Sequence, residues 1–465
     1  MSAIRLLPAP TSSALLRIHE MPNSRLAYDL AMVALELGAE AKTSSNLGLI
    51  KHCLIDAAAA AVAGFDSPVA DIAGKFAIRT FGTGTISPWF SSTGGMMPIS
   101  AAFVNSSVMS ALDLDDGNRA ARGHLGAAVV PVASVLGSMK DASSQTFAHA
   151  VLAGCEIGAR LGSVETPPFF ASGRWAGVGA AVAAGISLGL DYNQLAHAIA
   201  LSVHAAPLLG PAGARKDMTG HIKEGVPFGV LSGMACALLA EQGYRGDPDA
   251  IESAGIYDVG RLSTQTGEAT TFKRTYFKRF SCCRLAHSPI DAALAITWRE
   301  RLVASDIARI TVRTFRTAME LPNEARPASF ESAQYSLPFA VAVALVLGTD
   351  ALLPLAKDTL SNSEVLALAE RVDLLHDATM DAAYPRTTPT EVLIETHRGE
   401  IFVEERDTAD GDPGRAFADE QLLHKLRTVA KDRIPVEQLE EIVSAVGSRI
   451  PSACEFEAVL RRASE

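Results

Sequence analysis

The sequence predicts a mainly α protein that also carries a smaller α+β unit. Three observations carry this expectation. Apolar residues make up 48 % of the 465 positions but aromatics only 6 %, with alanine and glycine dominating the apolar set. Small side chains let helices approach closely, and alanine is the strongest helix former. From about Ser24 to Gly243 apolar residues recur at helical spacing. Near residue 272 that pattern gives way to β-branched alternation.

In chain order, "LIKHCLIDAAAAAVAGF" reads as an alanine-rich helix ending at a glycine, and "SQTFAHAVLAGCEIGARLG" as a second helix. "DYNQLAHAIALSVHAA" opens on Asp191, an N-cap residue type, and "VPFGVLSGMACALLAEQG" closes on Gly243 as its C-cap. "IARITVRTF" reads as a strand, and "EVLIETHRGEIFVEER" as a hairpin turning at Arg398-Gly399. Between them lie "SLPFAVAVALVLG" and a helix starting at "SNSEVLALAERV", where Ser361 and Glu364 form a capping box. "DGDPGR" then reads as a glycine–proline linker. Beyond it, "DEQLLHKLRTVA", "PVEQLEEIVSAVG" and "CEFEAVLRRA" return to helix and can pack back on the first half.

Net charge is −11, with no long basic run and no interleaving of arginines and aromatics, which excludes nucleic acid as a partner. The N-terminal "MSAIRLLPAPTSSALLRIHEMPNSR" lacks a sustained apolar core and reads as a tail or short helix, not a signal peptide. "WAGVGAAVAAGISLGL" is too short and glycine-rich for a membrane span and reads as a buried helix. The expectation is a cytoplasmic protein that does not enter a membrane.

The six cysteines are scattered and form no C-x-x-C pair, so neither a disulfide framework nor a zinc site is expected. The vicinal Cys282-Cys283 pair belongs instead to a cationic cluster, "FKRFSCCRLAH", with Lys278, Arg279 and Arg284. A guanidinium forks onto a carboxylate, so anion recognition is the function this cluster suggests, with the cysteines as wall and His287 one turn past Arg284. A helix start with a structural ion pair is the alternative.

Two more constellations carry acid–base chemistry. "ALDLDDGNRAARGHLGAAVVP" sets Asp113, Asp115 and Asp116 close to His124; a carboxylate beside an imidazole orients it and raises its pKa. A helix cap with solvated carboxylates explains the same residues. "RKDMTGHIKEGVPFG" places Lys216, His221 and Lys223 before a glycine-rich helix start, where a lysine serves as a base or holds a carboxylate, or simply faces solvent. No Walker loop, H-E-x-x-H or G-x-S-x-G is present, and "GVGAAV" lacks the third glycine of a nucleotide loop. Too few oxygen ligands gather for Mg²⁺ or Ca²⁺.

Five stretches in order resemble the MmgE/PrpD family: "LDLDDGNRAARGHLGAAVVP", "KEGVPFGVLSGMACALLAEQGYRG", "KRFSCCRLAHSPIDAAL", "SAQYSLPFAVAVAL" and "GDPGRAFADEQLLHKLRTVA". The resemblance spans nearly the whole chain. It implies a large all-helical domain built from both chain ends (1–271 and 410–465), a smaller α+β domain (272–409), a homodimer, a site in the cleft between domains, and no organic cofactor. It places Asp113, His124 and Lys223 among the family's acid–base groups, and Lys278, Cys283, Arg284 and His287 in its substrate-facing block. The decarboxylases of the family have a histidine where Phe170 stands, a threonine where Gly117 stands and a histidine where Cys283 stands, so cis-aconitate decarboxylation is disfavoured.

The implied chemistry is proton removal beside a carboxylate of a small polycarboxylate, with Lys278 and Arg284 holding carboxylates, His124 or Lys223 as base and Asp113 orienting the histidine. Loss of a β-hydroxyl makes the protein a dehydratase of a 2-methylcitrate-like hydroxy-acid. Reprotonation from the other face makes it an epimerase of an iminodisuccinate-like dicarboxylate. A non-catalytic carboxylate-binding protein is the third possibility.

Overall fold

The computed structural model describes residues 25–91, 94–166, 171–207, 220–263 and 269–461. The N-terminal tail, Lys216 and Phe170 lie outside the described residues. The chain is mainly helical, with a small sheet in its second half. Its buried apolar side chains form two clusters. One draws on residues from Leu26 to Phe277, on Leu353, and again from Phe417 to Leu460. The other runs from Phe280 to Ile394.

The first cluster is built from alanine-rich helices. Ser44–Gly64 is long and apolar enough to cross a membrane, yet most of it is buried within the protein. The helices Asp419–Ala430 and Val436–Gly447 pack on it, and Ala453–Arg461 packs on Gly126–Met139, so the chain's last segment does return to its first half. "WAGVGAAVAAGISLGL" lies in the buried helix Ser172–Leu188. Its closest neighbour is Val226–Glu241. Their contact is a seam of glycines: a Cβ on Gly229 would sit 2.4 Å from the Gly173 carbonyl oxygen, and one on Gly233 would sit 2.0 Å from that of Gly177. Asp191 caps Tyr192–His204 in a full capping box with Gln194. Gly243 takes φ 86° just past its helix, the conformation glycine adopts most readily.

In the second cluster a four-stranded sheet runs in the order Val372–His376, Ile307–Thr314, Thr390–Thr396, Ile401–Arg406. The last two form the expected hairpin, with Gly399 at φ 80°. A register shift between Ile307 and Arg309 turns Ile307, Ile310 and Val312 all inward, against His287–Glu300 and Leu337–Leu347. Two details correct the sequence expectation. The short helix Ser363–Ala369 is capped by Asn362, which accepts from Glu364 N and Val365 N, not by Ser361. "RVDLLH" leaves the helix to become the strand Val372–His376, parallel to Ile307–Thr314, because its Val and Leu residues find a ladder partner.

A two-stranded ladder links the halves: Gly117–Asn118 pairs antiparallel with Thr275–Tyr276. The "DGDPGR" stretch is no free linker, since Asp412 within it is buried and ion-paired to Arg119 and Arg284.

Glycine inside and outside the seam predicts opposite effects for two Gly→Ala changes. Gly229→Ala forces a methyl into backbone and is expected to lower unfolding free energy by on the order of 1–3 kcal/mol. Gly48→Ala meets nothing within 4 Å. It is expected to gain about 0.5–1 kcal/mol from helix propensity. Chemical denaturation of both variants checks the sign and order.

Candidate active site

The aspartate loop begins where helix Pro98–Ser110 ends. Asp113 takes a positive φ of 53°, which turns the chain out of the helix. Its carboxylate meets Lys278: Nζ lies 2.8 Å from Asp113 Oδ2 and donates to the Asp113 main-chain oxygen at 2.9 Å. The Tyr335 hydroxyl donates to Oδ1 at 3.5 Å. Lys278 follows the strand Thr275–Tyr276, so the two-stranded ladder is what delivers it. Burial opposes its charge, but Asp113 outweighs burial and its pKa rises.

His124 precedes helix Gly126–Met139. Its Nδ1 faces two acceptors, Asp115 Oδ2 at 3.0 Å and the Asp116 carbonyl at 2.9 Å, so this nitrogen carries a proton. Nε2 points to Asp113 Oδ1 at 3.4 Å and Glu224 Oε1 at 3.8 Å. Burial disfavours the imidazolium, yet Asp115, with help from Glu224, pushes its pKa up to about 9. In turn, despite burial, His124 holds Asp115 below the usual carboxylate range. The residue orienting the imidazole is therefore Asp115, two positions beyond the expected Asp113. Asp116 caps the following helix, accepting from Gly126 N at 2.7 Å; burial and then Asp56 push its carboxyl up to about 7.

Lys223 and Glu224 lie at the glycine-led start of helix Val226–Glu241. Lys223 donates to Ser110 O, Ala111 O and Gln334 Oε1 at 2.8, 2.7 and 2.6 Å. It thus caps the C-terminal end of Pro98–Ser110 with all three of its donors engaged. Burial lowers its pKa against the pull of Asp113 and Asp115. Glu224 accepts from Ser172, which also accepts from His124 N at 2.9 Å. Burial raises the Glu224 carboxyl. Gly123 has to be glycine here, since a Cβ would stand 2.0 Å from Ser172 Oγ.

The cationic cluster divides. Arg284 lines the cleft, but its guanidinium is engaged by Asp412 at 3.2 Å and by the Ala409 and Asp410 carbonyls at 3.2 and 2.9 Å. Arg119 forks onto the same Asp412 at 2.8 and 2.6 Å, and both guanidiniums stack on the Tyr276 ring. Cys283 is cleft wall, its thiol pushed up by burial to about 12. His287 is fully buried behind Arg284, 3.2 Å from its Nη1, and outside the cleft lining. Arg279 is exposed, and His221 pairs with Glu331 at 3.3 Å.

Asp113, Lys278, His124, Glu224, Arg119, Arg122, Arg284, Tyr276, Tyr335 and Tyr384 thus surround one narrow cleft. Residues from order positions 113, 124, 278 and 284 converge there, and Lys223 lines the pocket next to it. Asp113, Asp115 and His124 bring one ligand atom each within 4.8 Å of one another, the one cluster of metal-ligand type among the described residues. Lys278 already supplies a positive charge to Asp113, which opposes a cation there. Sequence reasoning passed over Glu224, Tyr335, Arg119, Arg122 and Asp412. The available signal was position: Arg119 and Arg122 lie between the aspartates and His124, Glu224 follows Lys223, and Asp412 lies in the "DGDPGR" stretch.

Fold and cleft together define a mainly helical protein with a buried histidine–carboxylate cluster facing a cleft rich in cationic residues. The chain belongs to the MmgE/PrpD family: residues 28–264 match the MmgE/PrpD N-terminal domain and residues 280–447 the C-terminal domain. It is similar to a cis-aconitate decarboxylase of Aspergillus terreus, 25 % identical over 388 residues covering 74 % of this chain and 78 % of that protein. The cis-aconitate decarboxylase of Homo sapiens is 24 % identical over 429 residues, covering 85 % and 86 %.

The His124 site predicts a pH signature. A histidine raised from 6.5 to about 9 stabilises the fold fully below pH 6.5, and that contribution is lost as pH rises through 9. The stability gap between wild type and His124→Asn should shrink by on the order of 3 kcal/mol from about pH 6 to about pH 10. Denaturant midpoints across that range test it; a gap independent of pH contradicts the ion-paired imidazolium.

Proposed function

We propose that the protein is a lyase acting on a small di- or tricarboxylate, removing water from a 2-methylcitrate-like hydroxy-acid. One observation carries this reading. In a chain of net charge −11, the cleft is lined by Arg119, Arg122, His124, Lys278 and Arg284 against Asp113 and Glu224, and with Asp115 and Asp412 paired from behind, the lining positive charge is still in excess. A charge-compensating ligand for such a cleft is an anion with several carboxylates.

The proposed roles follow from the geometry. Glu224, its carboxyl raised by burial, takes the proton from the carbon beside a carboxylate. The C–H electron pair becomes the carbon–carbon double bond. The β-C–O bond breaks, and the leaving hydroxyl departs as water with the proton of His124 Nε2, the nitrogen that faces Glu224. Asp115 holds the imidazole, and the cationic wall stabilises the enolate-like charge. Lys223, with its donors engaged, fixes the end of helix Pro98–Ser110 rather than acting as base. Asp113 anchors Lys278.

A decarboxylase reading is favoured by the similarity to cis-aconitate decarboxylases. There His124 would protonate the carbon that loses carbon dioxide. Against it stands Gly117: a Cβ at this position would lie 2.3 Å from the Tyr276 hydroxyl oxygen, so the phenol occupies the space of the threonine that the decarboxylases carry.

Proton NMR in D₂O with 2-methylcitrate, citrate, cis-aconitate and iminodisuccinate decides. An enoate formed from a hydroxy-acid is expected. Deuterated, stereoscrambled substrate would replace dehydration with epimerisation, and loss of carbon dioxide from cis-aconitate would replace it with decarboxylation. No turnover of any of them would overturn the enzymatic reading. Glu224→Gln is expected to reduce kcat at least ~100-fold.

The two-domain division at 271/272 and 409/410, and a homodimer, belong to the same proposal. The exposed apolar groove lined by Phe81, Ile222, Phe228 and Leu231 supports the dimer. Light scattering should then give twice the 48.9 kDa chain mass.

A further inference from the structure

We infer that Arg122 grips one carboxylate of the bound anion, and so sets how many carboxylates the preferred ligand carries; this rests on the polycarboxylate reading above. The cations around the site differ in what already holds them. Lys278 is on Asp113, Arg119 and Arg284 are on Asp412, and His124 is on Asp115. Lys223 is on three carbonyl oxygens. Within the described residues Lys223 and Arg122 are the two of these without a carboxylate in contact, and Lys223 has all three donors engaged while Arg122 does not. Its Nη2 donates to the Gly162 carbonyl at 3.1 Å, and its Nε is buried without a partner. Glu165, whose field reaches Arg122, is already bonded to Arg174 at 2.8 Å.

The backbone holds this side chain deliberately in place. Asn118 Oδ1 accepts from Ala120 N and Ala121 N, and the Arg122 N–H closes the turn on Asn118 O at 2.8 Å. Arg122 itself sits at φ 60°, a left-handed conformation that costs a non-glycine residue energy. Asp113 and Lys223 share that feature at φ 53° and 43°. Three strained residues bordering one site mark positions fixed for placement rather than for backbone comfort. The turn sets Arg122 two residues from His124 in the cleft lining, within the field of Tyr384, which lines the same cleft. An arginine stays charged even when partly buried, and a charge without an anion is what a ligand carboxylate relieves.

Calorimetric titration of the full chain with tricarballylate and with glutarate, inert acids of three and two carboxylates, tests this. Arg122→Gln keeps a donor for Gly162 O and deletes the charge. It is expected to weaken tricarballylate about 10- to 100-fold and to erase the preference over glutarate. Arg122→Lys, which keeps charge but not the fork, should fall between. If Arg122→Gln binds tricarballylate within about twofold of wild type with its preference intact, the assignment of Arg122 fails while the polycarboxylate reading stands. If wild type binds neither acid, that reading fails, and this inference with it. Should Arg122→Gln not fold, as read by circular dichroism, Arg122→Lys decides alone, and unchanged affinity overturns the inference.

Discussion

The buried ion pair between Asp113 and Lys278 is the contact on which the site depends. It ties the end of helix Pro98–Ser110 to the chain that leads into the second apolar cluster. Two charges removed from water must compensate each other and satisfy their remaining donors and acceptors, or the desolvation cost dominates. The surrounding pattern follows from that rule. Lys278 spends a second donor on the Asp113 carbonyl, Tyr335 covers the other carboxylate oxygen, and Lys223 finds three acceptors nearby. Each of these three charged side chains is held by several partners. A cleft assembled from fixed charges has little reorganisation left to do when a charged ligand arrives, which is the condition for strong electrostatic stabilisation.

Glycine serves the same end by a different route. The seam between Ser172–Leu188 and Val226–Glu241 brings two backbones into contact, and both helices start at the site. Ser172 begins one, and Lys223 and Glu224 precede the other. Close approach is therefore what lets Ser172 bridge His124 N and Glu224. Leu or Val along the seam would hold the helices apart and separate His124 from Glu224. The alanine and glycine bias of the composition, which first suggested helices, is in this sense also a statement about the site.

Much of the fold was legible because it rests on local periodicity: the helices, the hairpin at Gly399, the Asp191 cap and the helical return after residue 415 each announce themselves within a dozen residues. The strand Val372–His376 was not, because its identity comes from pairing with Ile307–Thr314, sixty residues earlier. The site divides in the same way. Asp113, His124, Lys223, Lys278 and Arg284 stand out as charged residues in apolar company, and the cleft gathers them or, for Lys223, the pocket beside it does. Which of them remain available is a tertiary fact. Arg284 looks like an anion receptor in sequence and is spoken for by Asp412; Arg122 looks like a turn residue and is not spoken for by any carboxylate among the described residues. That Asp115 rather than Asp113 orients His124 depends on the loop's positive-φ turn, which no spacing rule encodes.

The discontinuous packing has a chemical consequence. Lys425, on helix Asp419–Ala430, reaches through the first cluster to Asp56 at 2.6 Å and to the Leu114 carbonyl at 2.8 Å. Leu114 lies between Asp113 and Asp115, so the chain's last segment grips the acid–base loop from behind. Asp56 in turn raises the carboxyl of Asp116, whose backbone carbonyl shares the His124 Nδ1 proton. Burial already raises the Asp56 carboxyl against the pull of Lys425; without that ammonium Asp56 would rise further and take up a proton, and the field at Asp115 and Asp116 would change. The C-terminal helices thus do more than complete a core. Through Lys425 they pair Asp56 and hold the Leu114 carbonyl, while the proton on His124 answers to Asp115 on one side and to the cleft on the other.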